Sequence, residues 1–167
     1  MREMRGQFQK LFRTRQGVKF NGELNTPTDS AQDNHRPRRT LTVSKSALVT
    51  TGDVVTAEGS SYLLSLSSDL SDTRQFKAYQ ITHRVSWTRK ADQVDFVTGL
   101  PKDADLVILD DALPVVVEYG QIVQNLGIET DKYRVLTGSD VRPGDRLGAW
   151  LVMSRTDHNG LHLLEVS

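Results

Sequence analysis

The chain has 167 residues, of which 37% are hydrophobic and 25% charged, enough for one domain or two small ones around a modest core. Its 21 basic and 21 acidic groups cancel, which argues against a whole-protein binder of nucleic acid or membrane surfaces. The absence of cysteine excludes disulfides, thiolate catalysis, cysteine zinc sites and iron–sulfur clusters. The longest apolar runs, Leu106 to Leu109 and Val115 to Val117, are too short to span a bilayer. The charged N-terminus lacks the apolar region of a secretory signal, so synthesis in the cytoplasm is expected.

Neutrality hides segregation. Residues 1–40 carry nine basic groups against four acidic ones, whereas residues 101–131 carry seven acids against Lys102 alone. Two solvated faces would explain this. A sharper expectation is head-to-tail association, in which a basic arm (Arg2, Arg5, Arg13, Arg15, Arg36, Arg38 and Arg39) meets the acidic segment (Asp103, Asp105, Asp110 and Asp111) of the next copy.

In chain order, residues 1–38 read as an extended N-terminal arm and linker, and 39–167 as a β-barrel domain. Met4, Phe8, Leu11 and Phe12 fit a helical turn or two. Asn21-Gly22 is a turn signal, and Asn25 to Pro37 is nearly devoid of apolar residues. From Thr40 the pattern becomes β. Residues 53–66 read as a hairpin. Tyr79, Ile81, His83, Val85 and Trp87 alternate with polar residues, as one strand with a buried face would. Val94 to Val97 suggests a short strand, Asp105 to Asp110 a short apolar run, and Pro114 to Tyr119 a β-branched strand. Gly120 to Leu126 fits a helical turn or a strand. Asn159-Gly160 between two apolar runs is a strong hairpin signal. Many short strands with few helices indicate an all-β fold, a small β-barrel or sandwich, made either of two related β units or of one barrel built from two halves.

The relation between those units rests on a repeated motif, V-x-x-G-D-x-(V/L). It spans Val49 to Val55, with Gly52 and Asp53, and again Val141 to Leu147, with Gly144 and Asp145. Each copy has a serine upstream (Ser46, Ser139) and an apolar strand downstream. Glycine accepts positive φ, and aspartate bonds nearby backbone N–H groups, so each copy predicts a tight turn feeding a strand.

This unit resembles the small β-barrel proteins of the head-closure, or stopper, family at the head–tail junction of tailed bacteriophages. Gly52, Asp53, Val55, Tyr62 and Leu64 carry the resemblance, and Gly144, Asp145, Leu147, Trp150 and Val152 repeat it loosely. The resemblance implies a non-enzymatic virion protein of the phage neck. It would form a homo-oligomeric ring that joins the portal or adaptor side to the tail and helps retain packaged DNA. It leaves room for non-specific contact with that DNA and implies no membrane.

No constellation competes strongly. His158 and His162 are separated by a turn and lack a third metal ligand. His83, on the apolar side of its strand, reads as a core histidine. Asp110 and Asp111 are adjacent in a strand and face opposite ways, so they are not an acid/base pair. Pro143-Gly144-Asp145 is similar to a stretch of β-rich Ser–Lys peptidases, but Met153 precedes Ser154 instead of following it. Trp87 and Trp150 read as core or rim residues. No catalytic, cofactor or metal residue is assigned. A β-barrel nucleic-acid-binding module is the alternative, with Arg36, Arg38 and Arg39 as its phosphate contacts; a small hydrolase is a more distant rival.

Overall fold

The computed structural model describes residues 10–25, 38–91, 97–98, 105–119, 123–125, 128–130 and 133–167. They form fourteen strands and, among the described residues, no helix. The first six are β1 (Lys10–Thr14), β2 (Lys19–Leu24), β3 (Arg38–Ser44), β4 (Val54–Ala57), β5 (Ser60–Asp69) and β6 (Thr73–Gln80). They close into an antiparallel barrel in the order β1-β2-β3-β6-β5-β4. Then come β7 (His83–Lys90), β8 (Leu106–Tyr119), the small hairpin β9 (Val123–Asn125) and β10 (Ile128–Thr130), β11 (Tyr133–Thr137), β12 (Arg146–Leu147), β13 (Trp150–His158) and β14 (Leu161–Val166). A second closed barrel runs β7-β8-β11-β14-β13-β12. Strand for strand this is the topology of the first, with β9 and β10 inserted between the second and third positions. The chain is a tandem of two like barrels.

The repeated motif performs the same task in each. Gly52 and Gly144 sit at φ of 91° and 92°, in the left-handed region that favours glycine. Gly52 N–H donates to Leu64 O at 2.8 Å, and Gly144 N–H to Val152 O at 2.8 Å. The Asp53 carboxylate accepts from Thr50 N–H at 2.8 Å, and that of Asp145 from Arg142 N–H at 2.9 Å. Val49 and Val141 are both buried, each anchoring its turn in its own barrel. The Asn159-Gly160 hairpin also forms, with φ of 51° and 79°.

The expected arm is corrected over residues 10–25. Phe12 and Phe20 are buried and stacked, with ring centroids 5.5 Å apart, inside the first barrel. Their strands close it, Arg13 pairing with Thr56 and Thr14 with Val55. Leu11 points outward, so the period here is 2 and not helical; Met4 and Phe8 lie outside the described residues. The single strand expected over 79–88 is two strands in different barrels, divided at Ile81 and Thr82. His83 is consequently exposed at the start of β7, its Nδ1 3.0 Å from Thr82 Oγ1, and is not a core histidine. The two short apolar segments expected around 105–119 are one strand of 14 residues. Val94 and Phe96 lie outside the described residues, and Gly120 to Leu126 contributes Val123–Asn125 as a strand.

Each barrel has its own apolar interior, and a third cluster lies between them. Leu63 and Tyr79, on the outer face of the first barrel, pack on Val116, Leu136 and Leu161, on the outer face of the second; all five are buried. Full burial of an aliphatic side chain is worth about 2 kcal/mol, so this seam is a substantial joint. Polar clips reinforce it. Ser65 Oγ donates to Asn159 O at 2.6 Å, and Thr82 Oγ1 accepts from Val117 N–H at 2.8 Å. The first glycine turn lies against Gly138, where an added Cβ would stand 2.6 Å from Gly52 backbone atoms; only glycine permits that approach.

Candidate functional site

Where β7 and β8 run beyond the second barrel they form a ribbon. Lys90 pairs with Leu106, Arg89 with Val107 and Thr88 with Ile108. Four consecutive aliphatics of this ribbon are exposed: Leu106 by 52%, Val107 by 46%, Ile108 by 60% and Leu109 by 43%. Alternation along a strand sends Leu106 and Ile108 to one face and Val107 and Leu109 to the other. Both faces of β8 are therefore apolar and wet, with Thr88, Arg89 and Lys90 of β7 set beside them. Among the described residues the outer edge of β8 is unpaired before Val116, because β8 pairs with β11 only from Val116 to Tyr119. Pro114, which has no N–H to donate, falls just before that handover and costs the ladder nothing on that side. An apolar strand with a free edge is a template for another chain, and proteins ordinarily protect such edges.

Acidic groups border the apolar run. Asp110 is bound at its base by Arg15 of the first barrel, with Nη1 to Oδ2 at 2.7 Å and Nη2 to Oδ1 at 3.0 Å. The hydrogen bonds from Arg15 hold the Asp110 carboxyl below its usual range. Arg15 and Asp110, expected to meet across copies, thus satisfy each other within one chain. Asp105 and Asp111 remain exposed, with no side-chain partner among the described residues.

The seam does not extend into a longer array. Positions in the second barrel matching Val54, Leu63 and Tyr79 hold Arg146, Leu151 and Ser167. Positions in the first barrel matching Val116, Leu136, Leu161 and Leu163 hold Glu23, Thr42, Thr73 and Gln75. Polar residues at all of these positions but Leu151 stop a tandem in the way that capping repeats do. Contacts between copies must use another surface, and the ribbon is the largest exposed apolar stretch among the described residues.

The second turn has charges that the first lacks. The Asp145 side chain is 3% exposed and receives Trp87 Nε1 at 2.9 Å, Arg89 Nε at 2.8 Å and Arg89 Nη2 at 2.8 Å, besides the Arg142 N–H. Burial pushes this carboxyl up, but the bonds from Arg89, Arg142 and Trp87 outweigh it and hold it below its usual range. Outside, Arg155 and Arg142 bind Asp140 and lower it to about 2. These groups fix the base of β7, from which the ribbon projects. In the first barrel Asp53 serves only Thr50.

Of the other residues singled out from sequence, Arg13 is exposed on β1, Arg38 opens β3, and Arg39 is half-buried on it. Arg2, Arg5, Arg36 and Asp103 lie outside the described residues. His162 is 2.8 Å from Asp157, and the described residues hold no group of three or more metal-ligating side chains. Trp150 is half-buried beside Tyr133, with ring centroids 5.7 Å apart. A shallow groove of about 400 Å³ follows the crossing between the barrels, lined by Gly59 to Ser61 and Gln80 to Arg84. It is polar and open, unlike the enclosed apolar pockets that hold small ligands. Among the described residues no helix is long and apolar enough to cross a membrane. The sequence showed Asp105 to Asp110 as a short apolar run but not that it lies exposed; four aliphatics in a row with nothing polar between them were the available signal. No protein-family model matches the chain, and no curated protein or solved structure is significantly similar to it.

Proposed function

We propose that this chain is a non-enzymatic structural protein of the neck of a tailed bacteriophage. It assembles with itself into a ring that joins the portal or adaptor side to the tail and helps retain packaged DNA. The observation that carries this reading is the β7–β8 ribbon, whose β8 strand exposes aliphatics on both faces and, among the described residues, is unpaired along its outer edge before Val116. A two-sided ribbon suits a subunit with a neighbour on either side, as every subunit of a ring has. The duplicated glycine–aspartate turn and its barrel strand add the likeness to head-closure proteins described above. Portal, adaptor and tail proteins are the further partners this reading names.

Negative-stain electron microscopy of the purified protein is the test. Rings with a central pore are expected. Particles that remain single two-barrel units, combined with a salt-sensitive shift of labelled DNA, would instead favour a nucleic-acid-binding module.

A further inference from the structure

We infer that neighbouring copies meet by a heterologous contact in which the ribbon of one copy, Asp105 to Asp111, lies on the outer face of the β1–β2 hairpin of the next. This rests on the ring reading and names its contact. The first observation is a conflict within the first barrel. Arg13 and Lys19 are directly opposite partners in the β1–β2 ladder, so both point outward on the same face. Both are exposed, and neither has an ion-pair partner among the described residues. Like charges directly opposed across a ladder destabilise it. An anionic group from another chain would relieve them. Around them lie Leu11, opposite Asn21 in the same ladder, and Val18 in the connecting turn, both exposed.

The ribbon has the complementary character. Its four exposed aliphatics lie between Asp105 and Asp111, whose carboxylates have no partner among the described residues. Its own β1 does not use them. Arg15 of the same chain takes Asp110, and Asp111, the next residue in the strand, faces the other way. Two ribbons do not suit each other either. Antiparallel pairing centred on Ile108 sets Asp105 against Asp111, and pairing centred between Val107 and Ile108 sets Asp105 against Asp110. Both registers oppose like charges, which disfavours a twofold contact. An apolar–acidic ribbon and an apolar–basic face on the same molecule make a head-to-tail contact, and such contacts form rings when the rotation closes.

Sedimentation velocity on the full chain tests this with two charge reversals. R13E/K19E and D105K/D111K should each weaken self-association about tenfold or more, and the four substitutions together should restore it. All four side chains are exposed, so the melting temperature should stay at the wild-type value in every variant. Association that ignores the reversals, or fails to recover when they are combined, overturns the contact. If rings persist in micrographs of the reversed variants, the contact is wrong and the ring reading stands. If the swap is rescued but the particles are open chains, the contact stands and the neck reading falls. A wild-type chain that stays monomeric overturns both.

Discussion

A chain that begins at Arg39 is expected to lose the first barrel and, with it, cooperative folding of the whole. The deletion removes Phe12 and Phe20 from the core and leaves β3 and β4 as open edges. Truncating one buried phenylalanine to alanine already costs about 3–5 kcal/mol, and the total stability of a domain is about 5–15 kcal/mol. Loss of both, together with two strands, exceeds what a barrel of this size can absorb. The damage should spread, because Leu63 and Tyr79 of the first barrel cover Val116, Leu136 and Leu161 of the second. Circular dichroism and calorimetry of the truncated chain should show no wild-type transition. A melting temperature near that of the full chain would mean that residues 10–24 do not close the barrel.

Asp145→Asn should be the costliest isosteric change in the chain. The carboxylate receives Trp87, Arg89 and the Arg142 N–H in a nearly closed site. An asparagine offers one acceptor oxygen and turns an NH2 group on donors, leaving Arg89 without its counter-ion. Breaking a buried pair costs about 3–5 kcal/mol; Arg89 keeps some solvent, so about 3 kcal/mol is expected. Asp53→Asn, at the matching position of the first turn, loses one good hydrogen bond at a half-exposed site and should cost about 1 kcal/mol. Urea denaturation of the two variants measures the difference, and equal losses would deny Asp145 its special role. The pH dependence follows from the same bonds. The folded-state pKa of Asp145 lies below its unfolded value, so the unfolded chain binds a proton first as pH falls. Its stabilisation is complete above pH about 4 and is lost as pH drops through the folded-state value. Asp145→Asn should therefore flatten the acid side of the stability profile, leaving the contributions of Asp110 and Asp140.

Local patterns revealed the fold class because local chemistry sets the turns. Gly52-Asp53, Gly144-Asp145 and Asn159-Gly160 need particular backbone angles, and the residues that tolerate them are few. Closure was not visible. The pairing of Arg13 with Thr56 joins segments whose sequence says nothing about each other. The alternation from Tyr79 to Trp87 continued through the crossing because Ile81 itself packs into the seam, so periodicity gave no sign of the break. Asp110 ended one expected segment and Pro114 began the next; β8 passes through both because Arg15 neutralises Asp110 and Pro114 falls where no ladder bond is required. The charge segregation was legible, but not that Arg15 and Asp110 would spend part of it inside the chain. Burial decides whether a run such as Leu106 to Leu109 is core or surface, and burial is a property of the closed barrels.

The ribbon as the assembly surface is most directly tested by hydrogen exchange across the β8 edge. Amide exchange of Leu106 to Leu113 should be measured at protein concentrations below and above the onset of association. Among the described residues the outward-facing amides of this edge have no ladder partner, and only Ala112 N–H is held, by Asp110 Oδ1 at 3.0 Å, so the others should exchange fast when dilute and slow markedly on assembly. The seam strands, such as Val116 and Leu136, should be protected at both concentrations. Exchange over Leu106 to Leu113 that stays fast while the protein assembles would contradict the account and place the interface elsewhere.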